Sequence, residues 1–321
     1  MNTTPSTSKK GRIPYTVVSG HRKSKLPKSP PALTLLLLSR AGKFTREDFL
    51  AEATSGGRVD VLCVEEAKGT YDIESRARKY PEVRFLLLEG QASVGERINL
   101  GFEETGSRYV FVVWTDMKTN VQALGPPVAE RLDDSERICT VPILKTATGE
   151  PVPSIQVPAF LGSRVRVMPW PEVKGGMASI FPFDYCGIYH RKKFLHFGGF
   201  DQRIANPYWQ KMDFGFRSFL WGDRIVSDAE ISAGYVGEIP TEDSTPDAAY
   251  KLFYLKNIAV KRTRGGGVLP WYCFFRYALR SDTGPISSLE EFLTVKKWVG
   301  KSSSRFVTDS RTLIRTWEAE R

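Results

Sequence analysis

Histidine is scarce in this chain of 321 residues: there are three, His21, His190 and His196. The four cysteines, Cys63, Cys139, Cys186 and Cys273, lie far apart and form no C-x-x-C pair. That pattern argues against a zinc site and against a disulfide scaffold, and suits free thiols in a reducing, cytoplasmic setting. No stretch approaches the roughly 18–20 apolar residues that a spanning helix needs. The short run Leu33 to Leu38 follows a long, basic, proline-interrupted segment, so it reads as a buried strand rather than an export signal. Glycine patterning is also missing where nucleotide chemistry most often uses it. The turn Ser39-Arg40-Ala41-Gly42-Lys43 after that strand is no G-x-G-x-x-G, and no G-x-x-x-x-G-K-[ST] occurs, which disfavours dinucleotide enzymes and P-loop NTPases.

Apolar residues make up 41% of the chain and aromatics 12%, ample for a packed core. The formal charge of +10 is localised. Residues 1–30 hold seven cations and no acid, and Lys251 to Arg280 hold seven more, interleaved with aromatic rings. The remaining body is mildly acidic, so basicity is confined to two segments suited to phosphate-rich partners or to ordinary solvation. Residues 1–31, rich in Ser, Thr, Pro and Lys, are expected to be a disordered tail.

From Ala32 onward, strand-length apolar runs alternate with helix-period segments, the signature of a parallel sheet covered by helices. The runs are Leu33–Leu38, Val59–Val64, Val83–Leu88 and Tyr109–Trp114. Between them, helices are expected after an N-cap at Thr45, over Ile73–Tyr80 and over Ser93–Thr105. Four strand–helix repeats predict a nucleotide-binding α/β half.

Three segments then resemble the family 2 glycosyltransferases. They are Gly95-Glu96-Arg97-Ile98-Asn99-Leu100-Gly101, the strand ending at Asp116, and Gly198-Gly199-Phe200-Asp201 followed by Asp213-Phe214-Gly215-Phe216-Arg217 and Gly222. The likeness covers roughly residues 32–235 and implies an α/β glycosyltransferase A-type fold, a mixed sheet flanked by helices, in a domain spanning 32–240; outside it, residues 241–321 are expected to be a helical C-terminal extension. It implies inverting transfer of a sugar from a nucleotide-diphosphate donor to a saccharide or lipid-linked acceptor.

The resemblance also assigns roles. An Asp-X-Asp motif after the fourth strand normally holds Mn²⁺ or Mg²⁺, which neutralises the donor diphosphate. Here Trp114-Thr115-Asp116-Met117-Lys118 keeps one aspartate. Asp116 is therefore expected to hold a cation through water, to bond the donor ribose or merely to cap a strand end, with Lys118 offsetting diphosphate charge. Ser39, Arg40, Glu65 and Glu66 are expected around the nucleobase, where a carboxylate accepting a base N–H gives selectivity. Arg97 and Asn99 either line that pocket or form the polar face of a helix.

Gln210 and Lys211 stand where relatives keep a Glu-Asp pair whose carboxylate is the general base. Asp213, expected to open a helix, is the nearest remaining candidate base or else a macrodipole partner. Gly199, Trp170 and Trp209 are the candidate acceptor-side residues. The late histidine that often completes the metal site in this family has no counterpart after Gly222. These departures leave a second reading open, a degenerate member that binds a nucleotide sugar or glycan without turnover. Beyond the resemblance, a helix is expected over Asp247–Thr263 and others near 288–299 and 308–319. The segment Val268 to Arg280 suits the anionic inner face of a membrane or packing on the catalytic domain. Nucleic-acid binding through the basic segments explains the charge but not the Gly198–Asp201 block.

Overall fold

The computed structural model describes residues 2–5, 13–19, 31–40, 47–57, 59–66, 73–161, 164–279 and 284–317. Its strands are β1 Asn2–Pro5, β2 Tyr15–Ser19, β3 Leu33–Leu38, β4 Asp60–Glu66, β5 Val83–Leu88, β6 Tyr109–Trp114, β7 Met117–Thr119, β8 Cys139–Lys145, β9 Gln156–Leu161, β10 Arg164–Pro169, β11 Gly187–His190, β12 Ile225–Tyr235, β13 Lys261–Thr263 and β14 Gly266–Val268. Its α-helices are α1 Glu47–Thr54, α2 Ile73–Lys79, α3 Val94–Glu104, α4 Pro126–Ser135, α5 Arg191–Phe197, α6 Pro207–Leu220, α7 Ala248–Phe253, α8 Tyr272–Ala278, α9 Pro285–Lys301 and α10 Ser310–Arg315. The chain divides into two compact units: residues 1–152, 184–199 and 228–240, and residues 153–183, 200–227 and 241–321. The C-terminal residues thus share a unit with two earlier segments and do not stand apart as an extension beginning at 241.

The first unit is built on a ten-stranded mixed sheet in the order β1-β2-β5-β4-β3-β6-β11-β8-β12-β7. At its centre β5, β4, β3 and β6 run parallel. The continuous apolar runs of β3 and β6 are buried at every position, as a strand covered on both faces requires. Helix α3 starts at the expected place: Ser93 caps it, and Glu96 returns to the Ser93 backbone N–H to complete a capping box. The Thr45 cap expected for α1 lies outside the described residues.

The expected disorder of residues 1–31 is corrected in part. Tyr15–Ser19 pairs antiparallel with β5, Tyr15 opposite Leu88, and Tyr15 and Val18 are buried. The aromatic and β-branched run Tyr15-Thr16-Val17-Val18 satisfies the open edge of β5, a signal masked by the polar composition around it.

The second unit gathers the hairpin β9–β10, α6 and the helices after Thr241 around an aromatic core that includes Phe181, Trp209, Phe216, Phe253, Phe292 and Phe306. Helix α6 begins at Pro207, with the Asn206 side chain accepting from the Tyr208 and Trp209 N–H groups. Asp213 is consequently in mid-helix and does not open it. All of α6 except Pro207 and Phe219 is buried. Gly215 makes that possible, because a Cβ there would lie 1.7 Å from the Ile180 carbonyl oxygen. The single helix expected over Asp247–Thr263 is instead α7, a π-helical turn Tyr254–Ile258 and the strand β13. Asp247 does cap it, but Gly265-Gly266-Gly267 lets the chain fold back as a β13–β14 hairpin.

Candidate functional site

The strand order places a reversal point in the first unit. From β3 the chain steps outward through β4 and β5, then returns to lay β6 on the other side of β3. Ligands of open α/β sheets bind beyond the carboxyl ends of parallel strands at such a point. The register sets Leu38 opposite Trp114, and Thr115 N–H bonds the Leu38 carbonyl at 3.0 Å. The residues that follow the two strands, Arg40 and Asp116, are therefore neighbours. Strand β11 runs antiparallel to β6, Gly187 opposite Val112, which carries the turn Phe183–Tyr185 before it to the same end.

Four polar groups converge there. Arg40 Nε donates to Asp116 Oδ2 at 2.8 Å, and its terminal nitrogens hold both oxygens of Asp184. Tyr235 Oη donates to Asp184 Oδ2 at 3.0 Å. Trp114 fixes the group from below. Its ring lies 3.9 Å from the guanidinium carbon, and its indole N–H donates to the Asp184 carbonyl at 2.8 Å. Asp184 adopts a left-handed backbone, φ 52°, a conformation that aspartate tolerates better than most residues. Burial alone would ease the proton off Arg40, but Asp184 and then Asp116 outweigh it and raise its pKa, so the guanidinium stays charged. Burial, followed by Asp184, pushes the Tyr235 phenol upward and keeps it a donor. Asp116 Oδ1 is buried with no hydrogen-bond partner among the described residues.

Beside this cluster, Arg97 donates to the Ser39 carbonyl at 3.0 Å and to Glu66 Oε1 at 2.9 Å. Ser39, Arg40, Glu66, Arg97 and Asp116, all expected around the donor, are thus brought to one end of the sheet. Three other expected donor residues do not join that cluster. Glu65 points to the opposite face of β4 from Glu66, as strand alternation dictates, and its carboxylate is buried 3.8 Å from Arg76 of α2. Asn99, two residues along α3 from Arg97, leaves the helix in another direction and packs on Gly199, where a Cβ would lie 2.3 Å from its Oδ1. Gly199, with φ 61°, is a close-approach glycine under that side chain. Lys118 is exposed between buried Met117 and Thr119 and faces the other side of β7.

The residues do not fit a resident divalent cation as they stand. A cation between Asp116 and Asp184 needs their oxygens, and the Arg40 guanidinium already holds three of the four. No group of three or more His, Cys, Asp or Glu side chains arranged for a metal occurs among the described residues. Asp184 and Tyr235 were not legible as site residues. The only local signal was an aspartate in the Pro182-Phe183-Asp184-Tyr185 turn.

The second unit corrects the base assignment. Asp213 is fully buried. Its carboxylate is 2.7 Å from Lys256 Nζ and 3.1 Å from Arg217 Nη2, and it accepts from Asn257 Nδ2 at 2.8 Å. Burial alone would raise its pKa, yet Lys256 and Arg217 outweigh that and hold it below the usual aspartate value, the opposite of what a base near neutrality requires. Lys256 also pairs with Asp201 at 2.8 Å, and Asp201 is chelated by Arg203. Gln210 donates to the Asp201 carbonyl, and Lys211 pairs with Glu242 at 2.6 Å. A helix buried on all sides must satisfy its polar groups internally, and these contacts do so. Trp209 is buried, with its indole N–H donated to the Thr245 carbonyl at 2.9 Å. Trp170, 38% exposed, follows β10 as a surface ring.

No family model matches the chain, and no curated protein sequence does. Solved structures do match. The structure of GalNAc-T7 with UDP, GalNAc and Mn²⁺ superposes with a TM-score of 0.55 at 12% identity, covering 88% of this chain and 59% of that one. S. aureus TarS 1–349 in complex with UDP-GlcNAc gives 0.48 at 13% identity over 84% of this chain and 73% of that one. S. aureus TarS gives 0.47 at 15% over 82% and 43%. The chain spans well under two thirds of GalNAc-T7 and of the longer TarS chain. At 12% identity the GalNAc-T7 likeness defines the fold alone: a glycosyltransferase A-type α/β fold, with a mixed central sheet flanked by helices.

Proposed function

We propose that this protein binds a nucleoside-diphosphate sugar at the carboxyl ends of β3 and β6 and transfers the sugar, with inversion, to a saccharide or lipid-linked acceptor, as a family 2-like glycosyltransferase. The observation that carries the reading is the convergence of Arg40, Asp116, Asp184 and Tyr235 on the reversal point of the sheet. The GalNAc-T7 likeness, to a structure solved with UDP and GalNAc, supports it. In this reading Ser39, Glu66 and Arg97 hold the nucleobase. The unpartnered Asp116 oxygen accepts a ribose hydroxyl, and Arg40 supplies the fixed positive charge that stabilises the developing diphosphate. No step is routed through a metal.

Inverting transfer also needs a base on the acceptor hydroxyl. The one acid of α6, Asp213, is locked by two cations. That observation favours a second reading, a protein that binds a nucleotide sugar or glycan without turnover. Calorimetric titration with UDP-, GDP- and dTDP-sugars, with and without Mn²⁺, followed by a donor-consumption assay over a broad acceptor panel, separates the two. Binding with turnover establishes the enzyme, binding alone establishes the second reading, and binding of no nucleotide sugar overturns both.

We also propose a cytoplasmic protein that touches an anionic membrane peripherally. Trp271, Tyr272, Phe275 and Leu279 on and beside α8 are each more than half exposed, and Arg262, Arg264 and Arg276 accompany them in sequence. An aromatic-basic face of this kind suits a lipid headgroup region. No helix among the described residues is long and apolar enough to cross a membrane.

A further inference from the structure

The second unit contains a cavity of about 390 Å³ whose lining includes Tyr208, Trp209, Tyr250, Tyr254 and Tyr277. Its volume falls in the ~300–1,000 Å³ range of small-molecule sites. The rings are held in place. Phe253 stacks on Trp209 at 5.5 Å and 29°, Tyr250 leans against it at 4.7 Å, and the indole N–H is tied to Thr245. Burial, and then Glu242, raise the Tyr208 phenol to about 12, so it remains a hydrogen-bond donor. Glu242 itself is neutralised by Lys211.

Three cations, Arg166, Lys251 and Arg276, also line the cavity, against one acid. That acid, Asp247, accepts the Tyr250 backbone N–H as the cap of α7. The cavity therefore joins flat apolar faces, phenol and hydroxyl groups, and excess positive charge. Sugar rings stack their C–H faces on aromatic planes and need polar partners around their edges. A net-positive lining adds a preference for a carboxylate or phosphate on the sugar.

We propose that this cavity binds an anionic saccharide, one bearing a carboxylate or a phosphate. Its role as the acceptor subsite rests on the function proposed above, whereas the binding itself does not. The test is calorimetric titration of the full chain with three ligands in the absence of donor: a glucuronate-containing oligosaccharide, a hexose phosphate and a neutral oligosaccharide of equal length. The proposal expects one or both anionic ligands to bind, with affinity falling as salt rises, and the neutral one to bind roughly tenfold more weakly. Arg276→Ala and Arg166→Ala alter exposed side chains and are expected to fold normally. Each should weaken anionic binding by roughly three- to tenfold and leave neutral binding unchanged, and Tyr250→Ala should weaken both.

Equal binding of neutral and anionic sugars, indifference to both arginine variants, or no saccharide binding at all overturns the proposal. Comparing the two anionic arms identifies the acid. A separate titration with nucleotide sugars reports on the donor site, so failure of the proposed function and failure of this cavity are distinguishable.

Discussion

Replacing Asp213 by asparagine tests whether this residue is a base or a keystone of the buried charge cluster. The side chain is 0% exposed, and Lys256 and Arg217 on either side of it are 2% and 3% exposed. An asparagine at this site keeps the volume but removes the charge, and it turns an amide N–H₂ toward at least one cation. Lys256 retains Asp201 at 2.8 Å, while the Arg217 contact with residue 213 is lost. Breaking a buried ion pair from one side costs about 3–5 kcal/mol, a large share of the ~5–15 kcal/mol by which a domain is stable.

Urea unfolding followed by tryptophan fluorescence should therefore show a loss of about 3–5 kcal/mol in Asp213→Asn. Any donor turnover, normalised to folded protein, should stay within about twofold of wild type, a barrier change of under ~0.5 kcal/mol. The double variant Asp213→Asn/Arg217→Met should be less destabilised than the two single changes summed, because it removes the stranded charge. Unchanged stability together with abolished turnover would refute the reasoning and restore Asp213 as the base.

Asp213 and Asp201 are both held below the ordinary aspartate value in the folded state, so the unfolded chain binds protons first. Their contribution is complete above the unfolded pKa of about 4 and is lost as pH falls below it. The melting temperature should thus hold from pH 8 to about 5 and fall steeply below about 4, with a shallower acid limb in Asp213→Asn. Arg40→Ala should leave Asp116 and Asp184 facing each other without their cation and so open a metal site. Mn²⁺ should then raise the melting temperature of this variant by roughly a few degrees and leave wild type nearly unchanged, as differential scanning fluorimetry would show. Phe275→Asp combined with Leu279→Asp should abolish cosedimentation with phosphatidylserine vesicles without lowering the melting temperature, since both side chains are exposed.

The apolar runs of β3, β4, β5 and β6 were legible because a strand buried on both faces has no polar alternation to hide it. The α3 boundary was equally legible, since a capping box is a local device. Arg40, Asp116, Glu66 and Arg97 were nominated through the family resemblance, on short motifs that local sequence carries. The polar run around Tyr15–Ser19 concealed a strand because edge pairing depends on a partner distant in sequence.

The sequence by itself determined the parallel centre of the sheet and the confinement of positive charge to two segments, both properties of local pattern. Only the tertiary structure decided what each polar residue does. It brought Asp184 and Tyr235 to Arg40 through an antiparallel strand and a distant sheet edge. It turned Glu65 and Glu66 to opposite faces, and it sank Asp213 among Lys256, Arg217 and Asn257. Those outcomes depend on which surfaces meet, and a buried carboxylate differs from a catalytic one only through the neighbours that the fold supplies.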